Sequence, residues 1–414
     1  MAHIWIVNPF DPLPGDPEQP GRYLSLARML RTAGHRVTWW TSDFSHRFKQ
    51  PVDRAAIEAA AARDAITVRF IETPPYHRNV GFRRLASHRA LARKFASAAA
   101  RAAEADRPDL ILASNPPPEL AKEAGRLAVR NQRPLIVDVQ DLWVNTFRGL
   151  LPGAFRWMSP LLLRPWTAAT RSAYQPADVV VGVAQRYADD ALEYGQVSAP
   201  RVCIPLGIDL AEFDRAAAAG RNLLGEKPPG EVWSIYSGSY SGAYDVLTVA
   251  QAAVQLVGRH PHCRFLLSGR GELEPQIRAI VKDHPRITFL GFAPFEDWAA
   301  TIRQCDIGWN AVKPDRWVLF PNKIFYYWAA GLAVMNSIAG ECAEAVERGG
   351  SGVTYRCGDV GEAVVRFESL MSDPQRLNER RRASRKSAET TWDRAILYRP
   401  YVAMIEKRVS SRGG

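Results

Sequence analysis

Short runs rich in β-branched and aromatic residues recur through both halves of this 414-residue chain, each followed by a Gly- or Pro-marked loop and a helical stretch. In the first half they are HIWIVN from His3, HRVTWWTS from His35, ITVRFIETP from Ile66, DLILASN from Asp109, PLIVDVQ from Pro134 and ADVVVGVAQ from Ala177. In the second they are VWSIYS from Val232, CRFLLS from Cys263, RITFLG from Arg286, CDIGWNAV from Cys305 and LAVMNS from Leu332. Strands that alternate with helices build parallel sheets covered by helices on both faces. Between the halves, AAAAGRNLLGEKPPGE is rich in Ala, Gly and Pro and marks a boundary near residues 210–230. The expected fold class is α/β, with two doubly wound domains.

Composition removes several classes of function. Cys203, Cys263, Cys305, Cys342 and Cys357 are scattered without a C-x-x-C pair, which argues against a disulfide framework or a zinc site and fits a reducing compartment. The chain enters a strand at once, with no basic segment followed by an apolar one, so no signal peptide is expected and the protein reads as cytoplasmic. The most apolar loop, WMSPLLLRPW, is too short to span a bilayer. A net charge of +11 invites phosphate-bearing partners: a nucleotide, anionic lipid or nucleic acid. A nucleic-acid binder would rest on charge alone, because no aromatic-interleaved basic motif or recognition-helix signature is present, and no nucleic-acid partner is expected. Residues 77–103 carry seven Arg or Lys and no acid. They read as a helix that makes peripheral, electrostatic contact with an anionic membrane, or simply as a solvated helix face.

One stretch carries more chemistry than the rest. Residues 313–337, KPDRWVLFPNKIFYYWAAGLAVMNS, read as loop, helix, turn and strand. Pro321 and Asn322 start the helix, Lys323 lies in its first turn and Gly331 stops it. A helix start with free N–H groups and a lysine is a fitting seat for a diphosphate, although any α/β domain has loop–helix–strand segments. Pro321, Lys323, Phe325, Tyr327, Ala329, Ala330, Gly331 and Val334 resemble the P-S-K-x-x-E-Y-x-A-A-G-x-P-V motif of glycosyltransferase family 4, in its bacterial polysaccharide branch. The two glutamates of that family's E-x7-E fall on Val318 and Tyr326, so both carboxylates are missing. By the resemblance, Tyr326 stands where a glutamate would accept hydrogen bonds from the donor ribose.

The resemblance extends over nearly the whole chain. Asp141, Leu142 and Trp143 match a V-x-x-V-R-D-L-W-P element, and Pro205, Gly207, Asp209 and Phe213 match the crossover V-I-P-N-G-V-D-x-x-x-F. It implies the GT-B architecture, two Rossmann-like domains facing across a cleft. The expected division is 1–210 on the acceptor side and 211–392 on the nucleotide-sugar side, with a C-terminal helix, 393–414, packing back on the first domain. Gly21 and Arg22, in the Pro- and Gly-rich loop after the first strand, resemble the acceptor-side loop and would face that cleft; the loop lacks a G-x-G-x-x-G fingerprint. Asp141 would contact donor sugar or acceptor hydroxyl, or else cap a helix.

For the donor diphosphate the expected cradle is Ser237, Gly238, Ser239, Ser241 and Gly242, with Gly269, Arg270 and Gly271 adding a guanidinium between glycines. Arg270 and Lys323 are the expected leaving-group stabilisers beside Asp141. Lys313 and Arg316 are further candidates in place of the Arg and Lys that related enzymes carry in the loop matching residues 237–245. The nucleobase would lie near Gly291 and Phe292. There is no H-x-x-x-H pair and no D-x-D at a strand end, so no metal or other cofactor is expected and positive groups would act on the diphosphate. The function implied is transfer of a sugar from a nucleoside-diphosphate sugar, a UDP-sugar, to a glycan or polyprenyl-diphosphate-linked acceptor, with retention, at the inner face of the cell membrane. The alternatives are a GT-B-fold protein that binds a glycan or a partner without transfer, a reading fed by the missing glutamates, and a sugar-nucleotide epimerase, whose acid/base carboxylates cannot be placed.

Overall fold

The computed structural model describes residues 1–16, 21–78, 81–151, 153–196, 198–314 and 318–411. The chain divides into two compact units, Met1–Leu206 with Leu397–Gly414, and Gly207–Ile396.

Unit 1 is a seven-stranded parallel sheet. Its strands are β1 (His3–Val7), β2 (Arg36–Ser42), β3 (Ile66–Ile71), β4 (Leu110–Asn115), β5 (Leu135–Val139), β6 (Val179–Gly182) and β7 (Arg201–Cys203), in the order β3-β2-β1-β4-β5-β6-β7. The central strands are buried along their length, as a sheet with both faces covered requires. Edge strand β3 instead alternates, with Thr67 and Arg69 exposed between Ile66, Val68 and Ile71. The helices that matter for function are α1 (Arg22–Thr32), α2 (Phe82–Ala100), α3 (Pro118–Arg130), α4 (Trp143–Leu150) and α5 (Arg164–Tyr174). The core joins Ile4, Ile6, Leu26, Trp39, Leu112 and Ile136 to Tyr398, Tyr401 and Ile405 of the terminal segment.

Unit 2 repeats the plan with six parallel strands: β8 (Val232–Ser237), β9 (Cys263–Ser268), β10 (Ile287–Gly291), β11 (Ile307–Asn310), β12 (Ala333–Asn336) and β13 (Gly352–Thr354). Their order is β10-β9-β8-β11-β12-β13. Helix α6 (Asn322–Ala330) precedes β12 and closes on Gly331 in the left-handed region, φ 71°. In both units the strand order reverses beside the first strand, which opens a crevice at the strands' carboxyl ends.

Two expectations about elements change. The three-residue edge strands β7 and β13 are too short for any periodicity to reveal them; each is set by the backbone of its one neighbour. The single C-terminal helix expected over 393–414 is broken. Ala388–Trp392 forms a π-turn, Asp393 pairs with Ile208 as an isolated bridge, a one-turn helix covers Arg394–Leu397, and Arg399–Ser410 is the terminal helix. Backbone pairing of Asp393 with Ile208 is incompatible with continuing a helix through it, and Pro400 favours a fresh start at the following turn.

Candidate functional site

Unit 2 gathers its candidate residues at the carboxyl ends of its strands. The loop after β8 and the loop after β9 are joined backbone to backbone. Gly238 N donates to Ser268 O at 2.9 Å, Tyr240 N to Arg270 O at 2.9 Å and Leu273 N to Tyr240 O at 2.9 Å. The glycines make this approach possible. A Cβ on Gly269, at φ 144°, would lie 1.8 Å from Gly238 O, and one on Gly271 would lie 2.5 Å from Tyr240 O. The expected phosphate cradle is corrected here. The N–H groups of Ser237, Gly238, Tyr240 and Gly242 are already spent on Tyr327 Oη, Ser268 O, Arg270 O and Glu272 Oε1. The loop offers a ligand the amide of exposed Ser239 and the hydroxyls of Ser239 and Ser241 rather than a full nest of amides.

Lys323 is the centre of this site. It lies in the first turn of α6, whose start at Pro321 has no side-chain cap and no acidic residue. Its side chain is buried, and Nζ sits 4.1 Å from the ring centre of Tyr236 and 4.4 Å from that of Tyr244. No hydrogen-bond partner reaches Nζ among the described residues. Loss of solvent pulls its pKa down to about 7. The aromatic faces offset part of that loss, since a desolvated cation–π contact is worth about 2 kcal/mol. Nζ would lie 3.0 Å from a Cβ built on Gly238, so the ammonium points at the glycine loop. A buried, unpartnered amine at an uncapped helix start, over a loop too tight for side chains, is an anion seat.

The other predicted residues fall around it unevenly. Pro321 is buried and Asn322 exposed at the helix start. Tyr326, partly exposed, meets Trp298 edge-on at 5.1 Å and also Phe213 and Phe295. The Trp298 indole N–H donates to Ser237 Oγ at 3.0 Å, which links Tyr326 to the loop after β8. Phe292 is 60% exposed beside Gly291, whose carbonyl accepts the Gly269 N–H at 2.9 Å. Arg270 is exposed and forms no ion pair among the described residues. Lys313 N donates to Ala243 O at 3.1 Å, at the end of the same loop. Arg316 lies outside the described residues.

Unit 1 has its own polar and aromatic rim, also at strand carboxyl ends. Phe10 follows β1, His46 and Lys49 follow β2, Tyr76 follows β3, and Asp141 and Trp143 follow β5. Arg84, from the first turn of α2, lays its guanidinium 4.6 Å from the Trp143 ring centre and 6.0 Å from that of Phe10. His88 stacks on Trp143 at 5.3 Å, and His46 Nδ1 is 2.6 Å from Tyr76 Oη. Burial, then the positive charge of Arg84, holds the pKa of His46 and of His88 down at about 3, so both rings are neutral near pH 7. Burial pushes Asp141 up to about 6, against hydrogen bonds from Leu142 N–H and Thr146 and the charge of Arg84. Asp141 is not a helix cap: Leu142 is the cap position of α4. It is a carboxylate poised near neutrality beside a cation and a stacked aromatic floor, able to accept a hydroxyl proton.

Arg22 is turned into the interior of unit 1, and Gly21 packs against Asp11. Arg22 is buried and pairs with Asp138 inside unit 1, Nε to Oδ2 at 2.7 Å. Its Nη1 donates to Ile204 O, Pro205 O and Tyr398 Oη, and the guanidinium lies over Tyr398 and Tyr401. Gly21 packs so close to Asp11 that a Cβ would lie 2.5 Å from its Oδ2. That carboxylate accepts the Tyr23 N–H at 2.9 Å, so the start of α1 already holds an anion of its own. The loop before it runs through residues 17–20, outside the described residues.

The sequence offered no sign of Tyr236 and Tyr244 as the Lys323 cradle, because a strand end and a loop residue meet only in three dimensions. Arg84 had a signal: along a helix it falls on the side of Leu91 and Phe95, the buried face.

Comparison with known proteins bears on the family and the fold. The family described as Glycosyltransferase Family 4 matches residues 22–212, and the one described as Glycosyl transferases group 1 matches residues 233–373. No curated protein sequence matches the chain. Among solved structures, Alr3699/HepE of Anabaena in complex with UDP-glucose is 19% identical with a TM-score of 0.67, over 98% of this chain and 100% of that one. Sucrose-phosphate synthase from Thermosynechococcus elongatus is 15% identical with a TM-score of 0.70, over 99% of this chain and 100% of that one. A glycosyltransferase from Rickettsia africae is 14% identical with a TM-score of 0.67, over 99% and 98%. With one family match on each unit and likeness to GT-B folds end to end, the chain belongs to glycosyltransferase family 4 and is a glycosyltransferase of the GT-B fold.

Proposed function

We propose that the protein moves a hexosyl group from a UDP-sugar to a glycan or polyprenyl-diphosphate-linked acceptor, in synthesis of a surface polysaccharide or glycolipid. The observation that carries this is Lys323: an amine buried against Tyr236 and Tyr244, without an acceptor among the described residues, aimed at Gly238 from an uncapped helix start. That geometry suits the diphosphate of the donor. Likeness to a protein solved with UDP and with UDP-glucose supports uridine as the base.

In the reaction the bond from the anomeric carbon to the diphosphate oxygen breaks, and the acceptor oxygen bonds that carbon. Charge develops on the departing diphosphate. We assign its stabilisation to Lys323, Arg270 and the start of α6, and read the transfer as metal-independent and, by the family resemblance, retaining. Asp141 is the group in unit 1 suited to an acceptor hydroxyl. Peripheral attachment at the inner face of the membrane would bring a lipid-linked acceptor to the enzyme.

The test is thermal stabilisation by UDP, GDP, ADP, CMP and dTDP, with and without magnesium, because a ligand of the folded state alone raises the midpoint. UDP should raise it most, and equally in EDTA. A shift that requires magnesium, or a larger one with another nucleotide, overturns the corresponding part of the proposal.

A further inference from the structure

We propose that the turn Gly153–Met158 and the short helix Ser159–Leu162 of unit 1, with the arginines that flank them, form a lipid-docking patch that inserts apolar side chains into an anionic bilayer surface. Phe155, Trp157, Leu161 and Leu162 are 52, 77, 66 and 44% exposed, so four large apolar side chains lie bare within eight residues. They occupy a 3-10 turn, Gly153–Met158, and the short helix Ser159–Leu162 that follows α4. A cluster of this kind marks an interaction surface rather than scattered surface hydrophobics.

The charge around it selects the partner. No acid stands between Asp141 and Asp178, while Arg148, Arg156, Arg164 and Arg171 do. All four are exposed, and none is ion-paired among the described residues. Charge of a single sign suits an anionic surface and disfavours a second copy of the same patch, whose arginines would face these. Tryptophan and leucine with flanking arginines suit the headgroup boundary of an anionic membrane, where the rings enter and the guanidinium groups meet phosphate. No helix among the described residues is long and apolar enough to cross a membrane, so the contact is superficial.

The patch is continuous with the rim that holds Asp141. Trp143 stacks with His88, Phe147 lies 5.5 Å from Trp143, and Trp166 lies 5.6 Å from Phe147. An aromatic path thus runs from the rim to α5, beside the exposed turn. The basic helix α2 is the weaker candidate for the lipid contact. Its Arg84 is turned onto Trp143, and Lys94 is drawn to Glu72 at 3.9 Å. It adds Phe82, 91% exposed, and Arg83 at its start. The purpose of the patch, access to a lipid-borne acceptor, rests on the function proposed above; its test does not.

The full-length protein is sedimented with vesicles of phosphatidylcholine alone and with phosphatidylglycerol mixed in, at low and high salt. Binding is expected to the anionic vesicles, weakened but not abolished by salt, since screening leaves apolar insertion intact. Trp157→Ser with Leu161→Ser should lower the partition coefficient about tenfold or more. Arg156→Gln with Arg164→Gln should lower it about fivefold per arginine. Leu223→Ser, which removes an exposed apolar side chain from unit 2, should leave it unchanged. The calorimetric unfolding midpoint of unit 1, measured without vesicles, reports that each variant is folded; if the parent itself binds no UDP, the donor proposal fails while the vesicle result stands. Equal recovery in the supernatant with both lipids overturns the inference. So does binding that high salt abolishes and Trp157→Ser/Leu161→Ser leaves intact, which would assign the contact to charge alone. A dimer that the same double variant dissociates, with no vesicle binding, would assign the patch to a second copy of the chain and overturn it too.

Discussion

Lys323 illustrates how one residue can be informative without a hydrogen-bond partner among the described residues. Its pKa near 7 means that the free protein carries a mixture of protonated and neutral amine at neutral pH. A bound diphosphate favours the ammonium and raises that pKa. Binding should therefore take up protons at pH 7, visible by calorimetry in buffers of different ionisation enthalpy. Affinity is fully present below the free-state pKa and falls as pH rises through 7, by up to about tenfold per pH unit until the bound-state pKa is reached. Lys323→Met should flatten that slope. A charge-assisted hydrogen bond is worth roughly 1.5–3 kcal/mol, so Lys323→Ala and Arg270→Ala should each lose about tenfold or more in UDP affinity. Nucleotide affinity unchanged in both would falsify their placement on the diphosphate. Tyr326→Phe, which removes only a hydroxyl, should lose about 0.5–1.5 kcal/mol; if it binds UDP like the parent while Tyr326→Ala unfolds, Tyr326 belongs to the Phe213–Phe295–Trp298 packing alone. Asp141→Asn should lower kcat/KM by about a hundredfold or more and remove an acid limb near pH 6, because only the carboxylate, present above that pH, accepts the acceptor's proton.

At the scale of elements, the two glycine loops behave as one unit. Gly269→Ala brings a Cβ to 1.8 Å from Gly238 O at a φ of 144°, so the loops must part. Backbone strain of this kind is worth about 1–3 kcal/mol, and the displaced Gly238 no longer faces Lys323. The midpoint of thermal unfolding should drop and UDP affinity should drop with it. Gly258→Ala is the contrasting case. Gly258 lies in the helix Val246–Arg259 with nothing within 4 Å of a new Cβ, and the change should stabilise by about 0.5–1 kcal/mol without touching UDP affinity. Helix α6 was legible because Pro321, Asn322 and Gly331 punctuate it. The loops' amides were not, since Gly and Ser in a turn leave open whether their N–H groups face a ligand or a neighbouring loop.

Over the molecule, the chain leaves unit 1 at Leu206 and re-enters it at Leu397. Arg22 fastens both passages at once. It donates to Ile204 O and Pro205 O on the way out and to Tyr398 Oη on the way back, while Tyr398 donates to Leu206 O at 2.6 Å. Removing one member of a buried pair leaves a charge uncompensated, at about 3–5 kcal/mol. Arg22→Met should therefore lower the unfolding midpoint of unit 1 by about 10 °C in calorimetry. UDP binding by the protein that remains folded should be unchanged, since Arg22 touches no part of the Lys323 site. A loss of UDP affinity with an unmoved midpoint would return Arg22 to the ligand.

The sequence by itself determined the alternation of strands and helices in each half, the interior strands of both sheets, and the helix start that carries Lys323. These rest on local chemistry: β-branched runs, Pro and Gly punctuation, and the order of residues around Pro321. Tertiary structure decided what those residues do. Ser237, Gly238, Gly269 and Lys323 meet although they are far apart in sequence, because parallel strands deliver their carboxyl ends to one edge. Arg22 reads as a loop arginine until Asp138, on a strand more than a hundred residues later, takes its charge into the core. Edge strands of three residues, and the exposure of Trp157 and Leu161, likewise follow from what lies beside them. Burial is a property of the packed chain, so an apolar residue does not announce in sequence whether it is covered.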